Sequence, residues 1–180
     1  MSKPLIGLLT GPVGVGKTTV AGRVVSLAQD LGLDCRGLLA PAKVNPSGQK
    51  AGVWGVDVRT GERRVLARTD QDLGGPSTGP YSFDAGGLDW AAGVVDGAVG
   101  NCDLLVVDEI GKLELWHDLG LVQILPRLAA GEASRALVLV RDSLLAELQV
   151  RLTPAKPLLF VVSKENRERI APAILKGLFQ

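Results

Sequence analysis

Leu5-Ile6-Gly7-Leu8-Leu9-Thr10-Gly11-Pro12-Val13-Gly14-Val15-Gly16-Lys17-Thr18-Thr19 is the stretch on which the fold turns. Leu5 to Leu9 reads as a short buried strand, and a glycine-rich turn follows at once. From Thr18 onward the apolar residues Val20, Val24, Leu27, Ala28 and Leu31 recur at helical spacing, until Gly32 supplies a stop. Gly11 to Thr18 fits G-x-x-x-x-G-K-[ST] throughout, a match that chance produces in roughly one chain in a hundred of this composition. Glycines let successive backbone N–H groups curl toward an anion without Cβ clashes, and the helix that opens near Lys17 points its positive end at the same place. Lys17 is expected to reach the β- and γ-phosphates of a nucleotide, and the Thr18 hydroxyl to ligate Mg²⁺. The nucleotide-binding set is then Gly11, Pro12, Val13, Gly14, Val15, Gly16, Lys17, Thr18 and Thr19.

Outward from this loop the chain alternates strands and helices. Cys35 to Ala40 reads as a second strand, and Leu104 to Val107, Ala136 to Val140 and Leu158 to Val162 as further buried strands. Helical periodicity marks Leu88 to Val99, Asp118 to Leu128 (which Pro126 should kink or end) and a final helix carrying Ile170, Ile174 and Leu178. Between roughly 41 and 84 the pattern changes to turn chemistry, Asn45-Pro46-Ser47-Gly48 and Arg59-Thr60-Gly61-Glu62, flanked by alternating stretches. That section predicts antiparallel hairpins, with Tyr81 to Phe83 as one more brief strand. The expectation is one α/β domain over residues 1–180, a three-layer phosphate-loop fold with a mostly parallel core sheet and a hairpin excursion after its second strand.

The second half of the site lies about ninety residues beyond the first, where the apolar run Leu104-Leu105-Val106-Val107 meets Asp108 and Glu109. Ligands of open α/β sheets bind at the carboxyl ends of the strands. Asp108 is placed to hold Mg²⁺ opposite Thr18, and Glu109 to orient and deprotonate a water for in-line attack on the γ-phosphate. Asp108-Glu109-Ile110-Gly111 also reads as D-x-x-G, which brings Gly111 to the nucleotide. The usual guanine reader [NT]-K-x-D is absent, since Ser163-Lys164-Glu165-Asn166 is wrong at both ends. A guanine-specific switch is therefore disfavoured.

Composition sets outer bounds. Hydrophobic residues make up 46% of the 180, and 20 basic against 19 acidic residues leave a net charge of +1, so no overall basic field points to nucleic acid. Apolar runs stop at four or five residues, far short of the ~20 a membrane span needs. Met1-Ser2-Lys3-Pro4 shows no signal region, and the two cysteines, Cys35 and Cys102, form neither metal spacing nor a disulfide framework. A cytoplasmic setting is expected, and no protein partner is indicated. The 23 glycines are an excess. Internal Gly93 and Gly97 each cost a helix ~1 kcal/mol, which suggests close packing there. Gly74, Gly75, Gly79, Gly86 and Gly87 suggest a segment that moves when nucleotide binds.

Taken together, Gly11 to Thr19, Asp108-Glu109-Ile110-Gly111-Lys112-Leu113-Glu114-Leu115 and Asn166-Arg167 resemble the small P-loop nucleoside-triphosphatase family, the cancer-related nucleoside-triphosphatase type. The resemblance spans most of the chain and implies hydrolysis of ATP, GTP and other nucleoside triphosphates to the diphosphate and phosphate. One segment departs from the family pattern. The family's first hairpin opens with an acidic-basic pair and runs on to Gly-Phe; here Pro41 to Lys50 differs and Gly52-Val53-Trp54 stands in the final place.

Several residues keep two readings at this point. Asn166 and Arg167 could border the base, the guanidinium stacking on it, or form a cap with an exposed charge. Lys112 and Glu114 could contact nucleotide or form a solvated pair. Arg141 is a possible γ-phosphate sensor, with a plain surface arginine favoured. Trp54, Trp90 and Trp116 are better read as packing residues than as base-stacking ones, and His117 as a surface histidine. The same loop also serves kinases, which would need an acceptor pocket and an arginine-bearing lid. Nucleotide-binding adaptors of the molybdenum-cofactor type use it too.

Overall fold

A computed structural model describes residues 4–180; Met1 to Lys3, on which the expectation of no signal region rests, lie outside the described residues. One sheet of ten strands runs through the molecule. Its core comprises β1 (Leu5–Gly11), β2 (Cys35–Leu39), β8 (Leu104–Ile110), β9 (Arg135–Arg141) and β10 (Leu158–Val161). These five are parallel and lie in the order β10-β1-β9-β8-β2. The excursion supplies β3 (Ala42–Val44), β4 (Lys50–Asp57), β5 (Arg63–Arg68), β6 (Ser77–Thr78) and β7 (Tyr81–Phe83). They continue the same sheet beyond β2 with antiparallel pairing throughout. The mixed α/β architecture read from the sequence is the one observed.

Helices cover the core on both faces because its central strands are apolar on both. Leu8, Leu105 and Val138 face one way, and Leu9, Val106 and Leu139 the other, each fully buried. On the first face lie α2 (Ala85–Ala98), α3 (Lys112–His117), α4 (Ile124–Ala129) and α5 (Leu145–Arg151). On the second, α1 (Lys17–Asp30) packs beside α6 (Ala171–Phe179) through Val20, Val24, Ile174 and Leu178. Burying one such aliphatic side chain contributes ~1.5–3 kcal/mol, so these two apolar layers hold the sheet against chain entropy. Among the described residues no helix is long and apolar enough to cross a membrane.

Four expectations about elements change. The helix expected over Asp118 to Leu128 forms only in its second half, as α4; Asp118, in the left-handed region, ends α3, and non-helical turns fill the stretch before Ile124. Pro126 sits in the first turn of α4, where its missing N–H has no intrahelical partner to lose, so it starts that helix instead of ending it. β10 is not a buried strand: it forms the sheet edge, α6 covers one of its faces, and Leu159 and Val161 are 48% and 53% exposed on the other. Around Gly93 and Gly97 there is open space for a Cβ, so close packing does not explain them.

The tight glycine in α2 is Gly87, whose added Cβ would strike the Val65 carbonyl of the hairpin sheet. Gly75 likewise approaches the Phe83 carbonyl, and the Leu73 amide donates to Ser82 Oγ at 2.8 Å. Gly75 and Gly87 are thereby accounted for by close backbone approach at the sheet margin.

Candidate functional site

The functional geometry forms where the parallel strands end. β1 delivers Gly11 into the phosphate loop, and a Cβ on Gly11 (φ +153°) would stand 2.6 Å from the Val162 carbonyl oxygen. Only glycine lets the loop leave the sheet so close to the chain that follows β10. Val15 turns inward, 5% exposed, and anchors the loop in the α1 layer, while Pro12, Val13 and Gly14 stay open to solvent. Gly16 caps α1 in the left-handed region with no side-chain hydrogen bond to the first-turn amides. The positive end of α1 is thus left for an anion outside the protein's own side chains.

Lys17 is 6% exposed and folds back over the loop, its Nζ donating to Gly11 O at 3.0 Å and Pro12 O at 3.3 Å. Burial holds its ammonium below the ordinary lysine range; the Glu109 and Asp108 carboxylates oppose that shift, and the Arg141 guanidinium adds to it. Two backbone carbonyls are exchangeable partners, so a phosphate can take this cation over.

At the end of β8 the two acids diverge. The β8–β9 register breaks between Val107 and Ile110, and the Asp108–Glu109 peptide is cis. Asp108, 3% exposed, turns toward β2, where its Oδ2 accepts from the Ala40 amide at 2.9 Å, and it also accepts from the Thr18 hydroxyl. Glu109 turns toward β9, where its Oε1 accepts from Arg141 Nε at 2.7 Å. Burial pushes the Asp108 carboxyl up to about 6, with the Ala40 and Thr18 hydrogen bonds opposing it.

That shift has a sign. The folded protein binds this proton more tightly than the unfolded chain, so stability falls as pH rises from about 3.8 through about 6, leaving a deficit on the order of 3 kcal/mol above that window. Asp108→Asn keeps an acceptor for the Ala40 amide and removes the buried charge. In chelator at pH 8 this variant is expected to melt several degrees above the parent, the gap closing as pH falls toward 4. Thermal unfolding of both proteins across that range checks it, and a parent-like melt at pH 8 contradicts it.

Other sequence candidates sort cleanly. Asn166 is committed to the backbone: its Oδ1 accepts from the Ser163 amide at 2.9 Å and its Nδ2 donates to Val161 O at 2.8 Å, pinning the turn after β10. Arg167 reaches the loop instead, its Cδ 3.6 Å from where a Gly16 Cβ would be. It lines a cleft of about 240 Å³ with Gly16, Thr19, Val20, Arg23 and Glu168. Glu114 neither meets solvent nor faces the loop; 5% exposed, it accepts from the Gly111 amide at 2.9 Å and the Leu121 amide at 3.2 Å. It fixes the turn through which β8 passes into α3, and burial raises its carboxyl above the usual range. Lys112 covers the exposed Trp116 ring at 4.7 Å. Trp54 lies between Lys43 and Arg63 on the hairpins, Trp90 packs near Gly55, and His117 is exposed.

Arg141 is the residue that sequence reasoning undervalued. It is no plain surface arginine, because β9 lies between the loop strand and the acidic strand, and its last residue pairs in register with Gly11. A lone arginine at the carboxyl end of an apolar strand was the available signal.

A glycine loop opening a helix, a buried carboxylate on a nearby strand and hydroxyl-bearing Thr18 between them define a P-loop nucleoside-triphosphate-binding protein on a three-layer α/β sheet. Residues 7–175 match the NTPase family. Nucleoside-triphosphatase THEP1 of Methanopyrus kandleri is 30% identical over 175 residues, 96% of this chain and 94% of that protein. The protein of the same name from Thermofilum pendens is 28% identical over 172 residues, 95% and 93% of the two chains. The solution structure of a human cancer-related nucleoside triphosphatase superposes with TM-score 0.74 at 25% identity, covering 99% of this chain and 98% of that one. The crystal structure of THEP1 from Aquifex aeolicus shares the fold with TM-score 0.76 at 18% identity, over 98% and 100%. The chain belongs to the NTPase family and is an enzyme of nucleoside-triphosphate hydrolysis.

Proposed function

We propose that one P-loop domain, residues 1–180, carries out Mg²⁺-dependent hydrolysis of ATP, GTP and other nucleoside triphosphates to the diphosphate and phosphate. The observation that carries this reading is the divergence of the two adjacent acids, with Asp108 buried against Thr18 and Glu109 held at the mouth beside Arg141. The amides of Gly14 to Thr19 receive the phosphates, and Lys17 exchanges its two carbonyl partners for the β- and γ-phosphate oxygens. Pro12 and Val13 form the rim, and Gly111 leads the chain away from the acids into α3.

Thr18 and Asp108 fit a hard divalent cation: both offer oxygen, they already touch, and a buried carboxylate with a raised proton affinity gains from a cationic partner. They are the residues that would hold Mg²⁺, which when bound neutralises charge on the phosphate oxygens. Glu109 takes the proton of the attacking water, and Lys17 stabilises the charge on the transferred phosphoryl group.

The cleft beside Gly16 and Thr19 suits ribose and base. Its cationic wall, Arg167, stacks on any base face, and the acid that lines it, Glu168, pairs with Arg23 at 2.5 Å. Acceptance of several bases follows from stacking without a dedicated edge reader. Two free thiols raised to about 11 by burial, Cys35 and Cys102, suit a reducing cytoplasm.

Steady-state hydrolysis of ATP, GTP, CTP and UTP with Mg²⁺ tests the proposal. All four are expected to release phosphate, with kcat/KM values within about tenfold of one another, since stacking discriminates by only ~1 kcal/mol. Transfer of γ-phosphate label to an organic acceptor would instead make the protein a kinase.

A further inference from the structure

We infer that Arg141 is a positioning residue that ties the Glu109 carboxylate to the arrival of a γ-phosphate. This rests on the reading of Glu109 as the water-activating group. β9 separates β1 from β8, and register sets Arg141 beside Gly11 on one side and Val140 beside Ile110 on the other. From that strand end the guanidinium stands between the start of the phosphate loop and Glu109.

The way the two side chains meet matters more than the meeting itself. Arginine and a carboxylate commonly pair through two parallel N–H···O bonds. Here the contact is single, Nε to Oε1 at 2.7 Å. Among the described residues Oε2 of Glu109 accepts no hydrogen bond, and Nη1 and Nη2 of Arg141 donate none. The pair is largely withdrawn from solvent, with side-chain exposures of 32% and 25%, so it is screened less than an open surface pair.

One planar group therefore carries two separate tasks. Nε fixes a carboxylate that otherwise rotates freely, and leaves its second oxygen for water. The terminal amino groups match the spacing of two phosphate oxygens, the other partner to which a guanidinium fork is suited. A triphosphate offers those oxygens at the γ-position, and binding them locks the guanidinium and with it Glu109. A diphosphate offers none there and leaves the carboxylate with its rotational freedom. Such orientation is worth as much as a well-placed catalytic group, because small misplacements of a reacting atom lose about a hundredfold in rate.

The test compares Arg141→Ala, Arg141→Lys and Arg141→Gln with the parent, alone and combined with Glu109→Gln, using ATP and ADP. Arg141→Ala is expected to lower kcat about a hundredfold and to weaken ATP binding through the lost γ-phosphate contact, with ADP affinity held within about threefold. Arg141→Lys, a point charge that cannot serve both partners, is expected to recover less than a tenth of the parental kcat. In the Glu109→Gln background the arginine substitutions are expected to change the residual rate by less than about twofold, since both act through one carboxylate. Retained ADP binding certifies the folded state of whichever substitution is read. Parental kcat in Arg141→Ala or Arg141→Gln, full rescue by lysine, or an undiminished loss in the Glu109→Gln background would each overturn the coupling. Parental turnover by Glu109→Gln alone is a different failure: it removes the water-activation reading and leaves nothing for Arg141 to position.

Discussion

Glu109→Gln is expected to lower kcat by about a thousandfold or more while ATP and ADP bind within about twofold of the parent. Glutamine matches glutamate in shape and keeps an oxygen to accept from Arg141 Nε, so the 2.7 Å contact and the local packing persist. What disappears is the ability to take a proton. Because Glu109 touches neither the loop amides nor Thr18, ground-state affinity has no reason to change. Single-turnover hydrolysis alongside equilibrium binding separates the two quantities. Hydrolysis at the parental rate would show that another group removes the water proton.

Lys17→Ala is expected to weaken ATP binding by about a hundredfold or more, the scale of losing a charge-assisted contact to phosphate inside a shielded site. Stability behaves differently. The ammonium is buried, burial depresses its proton affinity, and among the described residues its direct hydrogen-bond partners are two carbonyls that solvent can reach once the side chain is gone. Removing it relieves a desolvated charge, so the melting temperature of the nucleotide-free variant is expected to stay within about 3 °C of the parent. The stabilisation by Mg²⁺-ATP expected of the parent should vanish. A variant that still gains stability from nucleotide would place the decisive cation elsewhere.

What the sequence carried, and what it withheld, divides along a physical line. Gly11 to Thr18 was legible because every part of its chemistry is local: backbone freedom, a helix start and one long cation within eight residues. The hairpins were legible for the same reason, since Asn45-Pro46-Ser47-Gly48 and Thr60-Gly61 enforce turns from their own side chains. Sheet order is not local, and the surprises follow from it. Leu158 to Val161 is as apolar as the central strands, yet it lies at the margin because among the described residues no strand is added beyond it. Arg141 became part of the site only because β9 inserts between β1 and β8, bringing together side chains 32 positions apart. Asn166 and Glu114 kept two readings each for a related reason. Each spends its polar atoms on backbone groups, a choice visible only once the turn around it is built.

Ala40 holds an unusual station. Its amide supports Asp108, and the residue after it, Pro41, leads directly into the hairpin array, with Pro41 O receiving the Trp54 amide at 2.9 Å. The array therefore hangs like a lever whose fulcrum is the carboxylate beside Thr18. Sequence change far out on the hairpins can tilt that fulcrum and retune the chemistry without altering a single residue that meets the phosphates.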